Sequence, residues 1–505
     1  MVRRFTCALF GSLAVVAGGA SWAPGLGSDE CLEREIRGLL GSVGLRPQDA
    51  AVAVVDANGE LVVNLGAHRA VKPASNLKIL TSLAALELLG ADYEYETRIS
   101  STTPLRGGTV AGDLVVRGTG DPNISGRFYD GDPTTLFRTW ARRLRRAGLV
   151  DVRGDLLVDD SFFDDQRFLP GWKSIDAGRW FAAEISPLSL NDNCIDVLVV
   201  PGRAGERARV EVTPESPFVK VTGAPVTVAR GKTHILIRRR PDTNEVTVSG
   251  QIAARSPEWR DHVAVHDPAL FFAHTLVAAL RQQGIRVRGQ VRRLAAARPG
   301  AAKRAGPAPR PGGGKPPLTL LVVHKSSLRL DLPVINKRSQ NLHAEILLKT
   351  LGARSGGEGS VAGGARAIRL YLERQGIATS SLVVADGSGL SHDNRVTAAM
   401  LARALDRARR ATYFEIFRDS LPVAGRDGTL AKRFRGEPQL HGRLFAKTGY
   451  IRSVSGLSGY LRRDGAYWSF SLLFQRLPGG NATIKRLQER IAATLDRAMA
   501  RAAKT

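Results

Sequence analysis

The sequence predicts an α/β (α+β) architecture: one five-stranded antiparallel sheet flanked by helices, its strands drawn from both ends of the chain, with a large mostly-β insertion between them. Three observations lead there. "AAVAVVDANGELVVNL" reads as two strands joined at Asn58-Gly59, a strong hairpin signal. Near the other end "GRLFAKTGYI", "SGLSGYLRR" and "AYWSFSLLFQR" read as three more strands, the last two joined at Asp464-Gly465. Between these halves, from about 94 to 294, the chain consists mostly of short alternating strands punctuated by glycine. At 505 residues it also exceeds the size at which single cores usually stop growing.

Taken in order, "MVRRFTCALFGSLAVVAGGASWAPG" has two arginines, a short apolar stretch and small residues at cleavage positions, which describes a secretory signal over residues 1–20. Its apolar stretch is shorter than the ~20 residues a membrane span needs. Export to the periplasm or the extracellular face of the envelope is therefore expected. The first part of the main domain, 29–93, holds a helix at "DECLEREIRGLLGSVG", the hairpin, and "VKPASNLKILTSLAALELLG". That last stretch reads as an amphipathic helix whose buried stripe is Leu77, Leu80 and Leu83.

The insertion, 94–294, contains strands such as "DLVVRG", "GDLLVDD", "IDVLVVPG" and "THILIRRR", and one helix at "PALFFAHTLVAALRQQG". Residues 295–317, rich in Ala, Pro, Gly and base, read as a linker. The second part of the main domain, 318–505, resumes with helical patterns at "SQNLHAEILLKTLGA" and "GGARAIRLYLERQG". It ends with the three strands and a helix from about Thr483 to Ala502.

A formal charge of +26 favours polyanions. The basic residues are dispersed and no zinc module or C-x-x-C pair occurs, so nucleic acid is not the expected partner. Weak attraction to an anionic wall or membrane surface is. Of three cysteines Cys7 would leave with the signal, and whether Cys31 and Cys194 pair is open, because sequence does not show their proximity. The oligomeric state is not legible.

Ser75 and Lys78 stand three apart at a helix start, so the amine can reach the hydroxyl, as an activated nucleophile requires. The alternative is a capping serine and a solvated lysine. Two further stretches weigh against that alternative. "NKRSQNLHAE" places Ser339 and Asn341 at the start of a helix, and "RLFAKTGYIRS" puts Lys447, Thr448 and Gly449 on a strand. In the order S-x-x-K, S-x-N, K-T-G they form the triple signature of serine β-lactamases and penicillin-binding proteins.

With "GDPNISG", "GDLLVDDSFFD", "ISPLSLNDN", "NKRSQNLHAE" and "DGSGLSHDNRVT", the chain resembles the class C low-molecular-mass penicillin-binding proteins, D-alanyl-D-alanine carboxypeptidase/endopeptidases with a large insertion after the nucleophile helix. The resemblance implies a serine β-lactamase/penicillin-binding transpeptidase-like fold, with the insertion forming two further domains. It implies peptidoglycan stem peptides as substrates, β-lactams as inhibitors, and no metal or cofactor.

On that reading Ser75 attacks a carbonyl, and Lys78 accepts its proton if desolvation and the nearby Lys447 lower its pKa. Which group is the base in this superfamily is open. Ser339 would relay a proton to the leaving amine, and Asn341 would hold the substrate's amide. Lys447 and Thr448 would bind the terminal carboxylate, Gly449 would let the substrate lie along the strand, and the backbone N–H groups of Ser75 and Tyr450 would form the oxyanion hole. Tyr450 departs from the family, which usually has a threonine or serine there, so the balance of exopeptidase and endopeptidase cleavage is not fixed.

Other candidates are weaker. His262 and His266 have a metal-like spacing, but on a strand they would lie ~13 Å apart. "GGEGSVAGG" joins two helical patterns and lacks the strand a nucleotide loop follows. "DGSGLSHDNRVT" is either a rim element or a turn before a helix. Two other functions remain: a β-lactamase or esterase on the same fold, and a non-catalytic wall-binding protein with a vestigial motif.

Overall fold

A computed structural model describes residues 28–294 and 318–503. The expected signal segment 1–20 and linker 295–317 lie outside the described residues. A five-stranded antiparallel sheet has the order Leu444–Ile451, Val454–Arg463, Ala466–Phe474, Ala50–Val55, Leu61–Leu65, so the early hairpin adds to the free edge of the late meander. Val52 pairs with Leu472 and Lys447 with Ser458. Asp464 and Gly465 both have positive φ, 48° and 81°, as a tight two-residue hairpin requires.

The interior strand Ala50–Val55 is buried along its whole length, and its alternation feeds two cores. Ala51, Ala53 and Val55 enter one cluster; Ala50, Val52 and Val54 enter another. The second lies under the helices Ser28–Gly41 and Gly480–Ala502, the latter starting slightly before the expected Thr483. The first holds the helix Leu77–Leu88, against which Asn341–Ser355, Val361–Arg374 and Ala398–Ala408 pack. Every residue from Leu77 to Leu86 is buried. The helix expected to be amphipathic is thus central, because helices surround the faces that a surface helix would leave to water.

The inserted region begins with the strand Glu94–Ser101. A second five-stranded sheet has the order Val291–Arg293, Leu156–Asp159, Leu114–Gly118, Glu94–Ser101, Thr319–Ser327. The strand after the Ala/Pro/Gly-rich segment therefore pairs antiparallel with the first strand of the insertion. Cys194–Val200 and His234–Arg239 belong to separate three- and four-stranded sheets. The expected helix spans Pro268–Gln282, and it packs on a second one, Thr135–Arg146, that buries Phe137, Trp140 and Leu144. Cys31 is exposed on the first helix and Cys194 is buried in the insertion; both are free.

Candidate active site

The helix Leu77–Leu88 is entered through a short 3-10 turn, Ala74–Asn76, that carries Ser75. Ala74 has φ 48°, an uncommon conformation for a residue with a Cβ. Lys78, one turn on, is completely buried. Its Nζ lies 3.1 Å from Ser75 Oγ, 2.7 Å from Asn341 Oδ1 and 2.7 Å from the Ser388 carbonyl. Asn341 and Ser388 offer only acceptors, whereas a hydroxyl can also donate. A neutral amine satisfies both acceptors with its two N–H groups and turns its lone pair to Ser75. That is the geometry of a base poised on a nucleophile.

Electrostatics agree. Burial pushes Lys78 down to about 7, against the opposing pull of Glu345 and Asp386. Glu345, also buried, is pushed up to about 8 by burial and then by the charge of Asp386. Its carboxylate accepts the N–H groups of Gly387 and Ser388 at 2.7 and 2.9 Å. Burial alone depresses Lys78; the like-charge effect expected from Lys447 appears on Lys447 itself, which burial and then Lys78 push well below the ordinary lysine value.

Lys447 Nζ, fully buried on the edge strand Leu444–Ile451, donates to Ser339 Oγ at 2.8 Å and to the Thr448 carbonyl at 2.9 Å. Ser339, at φ 59°, and Gln340 precede the helix Asn341–Ser355. Asn341 bridges two bodies: its Oδ1 receives Lys78, and its Nδ2 donates 2.8 Å to the carbonyl of Phe181 from the insertion. Ser75, Lys78, Ser339, Asn341 and Lys447 are thus brought together.

The rest of the K-T-G strand is less simple. Thr448 Oγ1 donates to Thr429 Oγ1 at 2.8 Å, so a second hydroxyl that no sequence signal marks stands at this end of the cleft. A Cβ on Gly449 would collide with the Asn76 amide and come 3.1 Å from Ser75 N, so glycine is needed here for the Ser75 turn to approach the strand. Tyr450 is 57% exposed.

Sequence reasoning missed Glu345, which lies four residues after Asn341 on the same helical face, and Phe181. It also left aside the 386–394 loop, which is organised by Asp386: the carboxylate accepts from the N–H of Gly389, Nδ2 of Asn394 and the indole of Trp172. His262 and His266 do not converge, each bonding a different carboxylate, Asp196 at 2.6 Å and Glu184 at 2.7 Å.

The D-Ala-D-Ala carboxypeptidase 3 (S13) family matches residues 36–498. A D-alanyl-D-alanine carboxypeptidase of an Actinomadura species is 32% identical over 461 residues, covering 88% of this chain and 80% of that relative. The crystal structure of penicillin binding protein 4 (dacB) from Haemophilus influenzae superposes with a TM-score of 0.75 at 23% identity, over 91% of this chain and 99% of that one. The same protein complexed with a β-lactam gives a TM-score of 0.70 at 22% identity, with coverage of 91% and 99%. At such identities the likeness is one of fold.

Proposed function

The chain belongs to the D-Ala-D-Ala carboxypeptidase 3 (S13) family, and we propose how, as a serine-type D-Ala-D-Ala carboxypeptidase/endopeptidase of peptidoglycan stem peptides, it divides the work among its residues. The observation that carries this reading is the contact of Lys78 Nζ with Ser75 Oγ, with both remaining partners of the amine acting as acceptors. Lys78 in its neutral form takes the Ser75 proton as Oγ attacks the carbonyl of the penultimate D-alanine. The oxygen charge that develops faces the N–H groups of Ser75 and Tyr450. The C–N bond then breaks, and Ser339 passes its hydroxyl proton to the departing amine while taking one from Lys447, which donates to it, so that the proton gained by Lys78 is matched by the one Lys447 gives up. Water hydrolyses the ester that remains.

Lys447 and Thr448, with Thr429 beside them, form the end that binds a free carboxylate. An arriving anion offsets the burial that keeps Lys447 from carrying its charge. Asn341 would orient the substrate's amide by exchanging its bond to Phe181. The outer side of the edge strand meets Val423 at Phe445, which leaves the K-T-G segment beyond that bridge to pair with an extended peptide.

β-Lactams, which present a strained amide and a carboxylate, fit the same site as acylating inhibitors. The division into a peptidase body, 29–93 and 318–505, and an inserted region, 94–294, has support from their separate buried clusters, with Thr319–Ser327 as a strand the body lends to the insertion. Export to the periplasm or outer face is supported by residues 1–20, and among the described residues no helix is long and apolar enough to cross a membrane.

Peptide mapping after labelling with a fluorescent penicillin tests the assignment. An adduct on Ser75 is expected, and one on any other serine overturns it.

A further inference from the structure

A cavity of 620 Å³ opens between the insertion and the S-x-N helix. From the peptidase body it is lined by Arg338 and Gln340, the two neighbours of Ser339; from the insertion come Arg127, Trp180, Asp192 and His262. Its place matters because Ser339 is the group that returns a proton to the leaving amine. Ser339 itself does not line it, but both of its chain neighbours do, which sets the chamber beside the leaving-group side of the proposed site. A single D-alanine is far too small to need such a chamber, whose volume falls in the range of about 300–1,000 Å³ that encloses whole drug-sized ligands.

The walls are already organised. Asp192 holds Arg127 through two hydrogen bonds of 3.1 and 2.6 Å and accepts Gln340 Nε2 at 2.7 Å, so these three groups satisfy one another. His262 is bonded to Asp196. Two groups remain available. Trp180 is 39% exposed although it is a large aromatic, with its ring edge-on to Phe181. Arg338 is exposed, and among the described residues no hydrogen bond or ion pair engages it. An unengaged guanidinium and an open indole beside a chamber suit a carboxylate-bearing peptide.

We propose that this cavity is the subsite for the leaving half of a cross-linked substrate, an anionic stem peptide bearing the departing amine. Arg338 pairs with its carboxylate and Trp180 packs on its chain. This rests on the peptidase reading above and adds to it the means of cutting cross-links as well as trimming free ends.

The test uses the full chain and its Arg338→Glu and Trp180→Ala variants, with kcat/KM measured on a D-Ala-D-Ala pentapeptide and on a cross-linked peptide dimer, beside fluorescent-penicillin labelling. Dimer cleavage is expected to fall by about tenfold or more, the scale of a lost charge-assisted hydrogen bond. D-Alanine release and labelling should stay within about twofold, and Arg338→Lys should recover part of the loss. Unchanged dimer cleavage, or an equal fall on both substrates, overturns the inference. A parent protein that trims pentapeptide but does not cut dimers overturns it alone; one that neither releases D-alanine nor binds penicillin overturns the peptidase reading.

Discussion

Gly389 packs so closely against Ala74 that a Cβ at 389 would overlap the Ala74 carbonyl. Ala74 holds φ 48° immediately before Ser75, and Gly389 itself has φ 83°. The Asp386 loop therefore props the turn that carries Ser75, and the Ser388 carbonyl in the same loop accepts from Lys78. Gly389→Ala must push the turn away. A displacement of about 1 Å can cost about 10² in rate, so acylation by a β-lactam should slow by that order while circular dichroism stays native. Unaltered acylation would mean the turn holds its shape without the loop.

Lys78→Ala removes the proposed base and should slow acylation by roughly 10²–10⁴, the usual share of general acid–base catalysis. Lys78→Arg should not restore it, because a guanidinium does not deprotonate. Stopped-flow acylation of both variants is the check, and parent-like rates in either would remove Lys78 from the chemistry.

The acid limb of acylation follows from the same residue. Lys78 is pushed down to about 7 and must be neutral to accept a proton, so the rate should rise with pH through about 7 and level off above it. Because Glu345 is buried beside it and pushed up to about 8, the midpoint belongs to the pair. A pH–rate profile that is flat between about 6 and 9 contradicts this.

Thr429 and Thr448 share a 2.8 Å hydrogen bond at the end of the cleft proposed to bind a carboxylate. If both hydroxyls serve that carboxylate, Thr429→Val should lower kcat/KM on a D-Ala-D-Ala peptide by about tenfold, the scale of a hydrogen bond to a charged group. Tyr450→Thr, at a half-exposed side chain, should raise it by less than Thr429→Val lowers it. The reverse ranking would put Tyr450, not Thr429, at the carboxylate.

A buried network ties the insertion to the S-x-N helix. His343 bonds Asp331 at 2.6 Å and Asp192 at 3.2 Å; Tyr95 donates to Asp331 at 2.6 Å, and Arg127 to Asp192. Burial, the largest influence on His343, favours the neutral ring, but Asp331 and Asp192 overcome it and raise its pKa. For Asp192 burial is again largest and opposes charge, yet His343 and Arg127 hold it well below the usual carboxylate value. The histidine's contribution is therefore complete below its unfolded pKa and lost as pH rises through the raised one. That of Asp192 is present above its unfolded value and lost as pH falls through the depressed one. His343→Ala should cost about 3–5 kcal/mol, as removal of one partner from a buried pair does. The loss should be larger on the acid side of neutrality than at alkaline pH, which thermal melts across pH would show.

Local sequence patterns set the elements and the reactive residue types. The hairpin turns at Asn58-Gly59 and Asp464-Gly465, the alternation in "AYWSFSLLFQR" and the spacing of Ser75 and Lys78 are local facts, fixed by φ preferences and by helix and strand periods. Tertiary structure decided what those residues experience. Burial among helices that lie hundreds of positions away in the chain pushes the Lys78 amine down, and no local period reports a dielectric. For the same reason the helix Leu77–Leu88 reads as amphipathic although every face near its start is covered. Thr429 beside Thr448, Phe181 on Asn341, Gly389 under Ala74 and Thr319–Ser327 paired with Glu94–Ser101 are all contacts between distant segments. Spacing along one chain constrains which residues can share a helix face or a strand, while only the packed fold determines which faces meet.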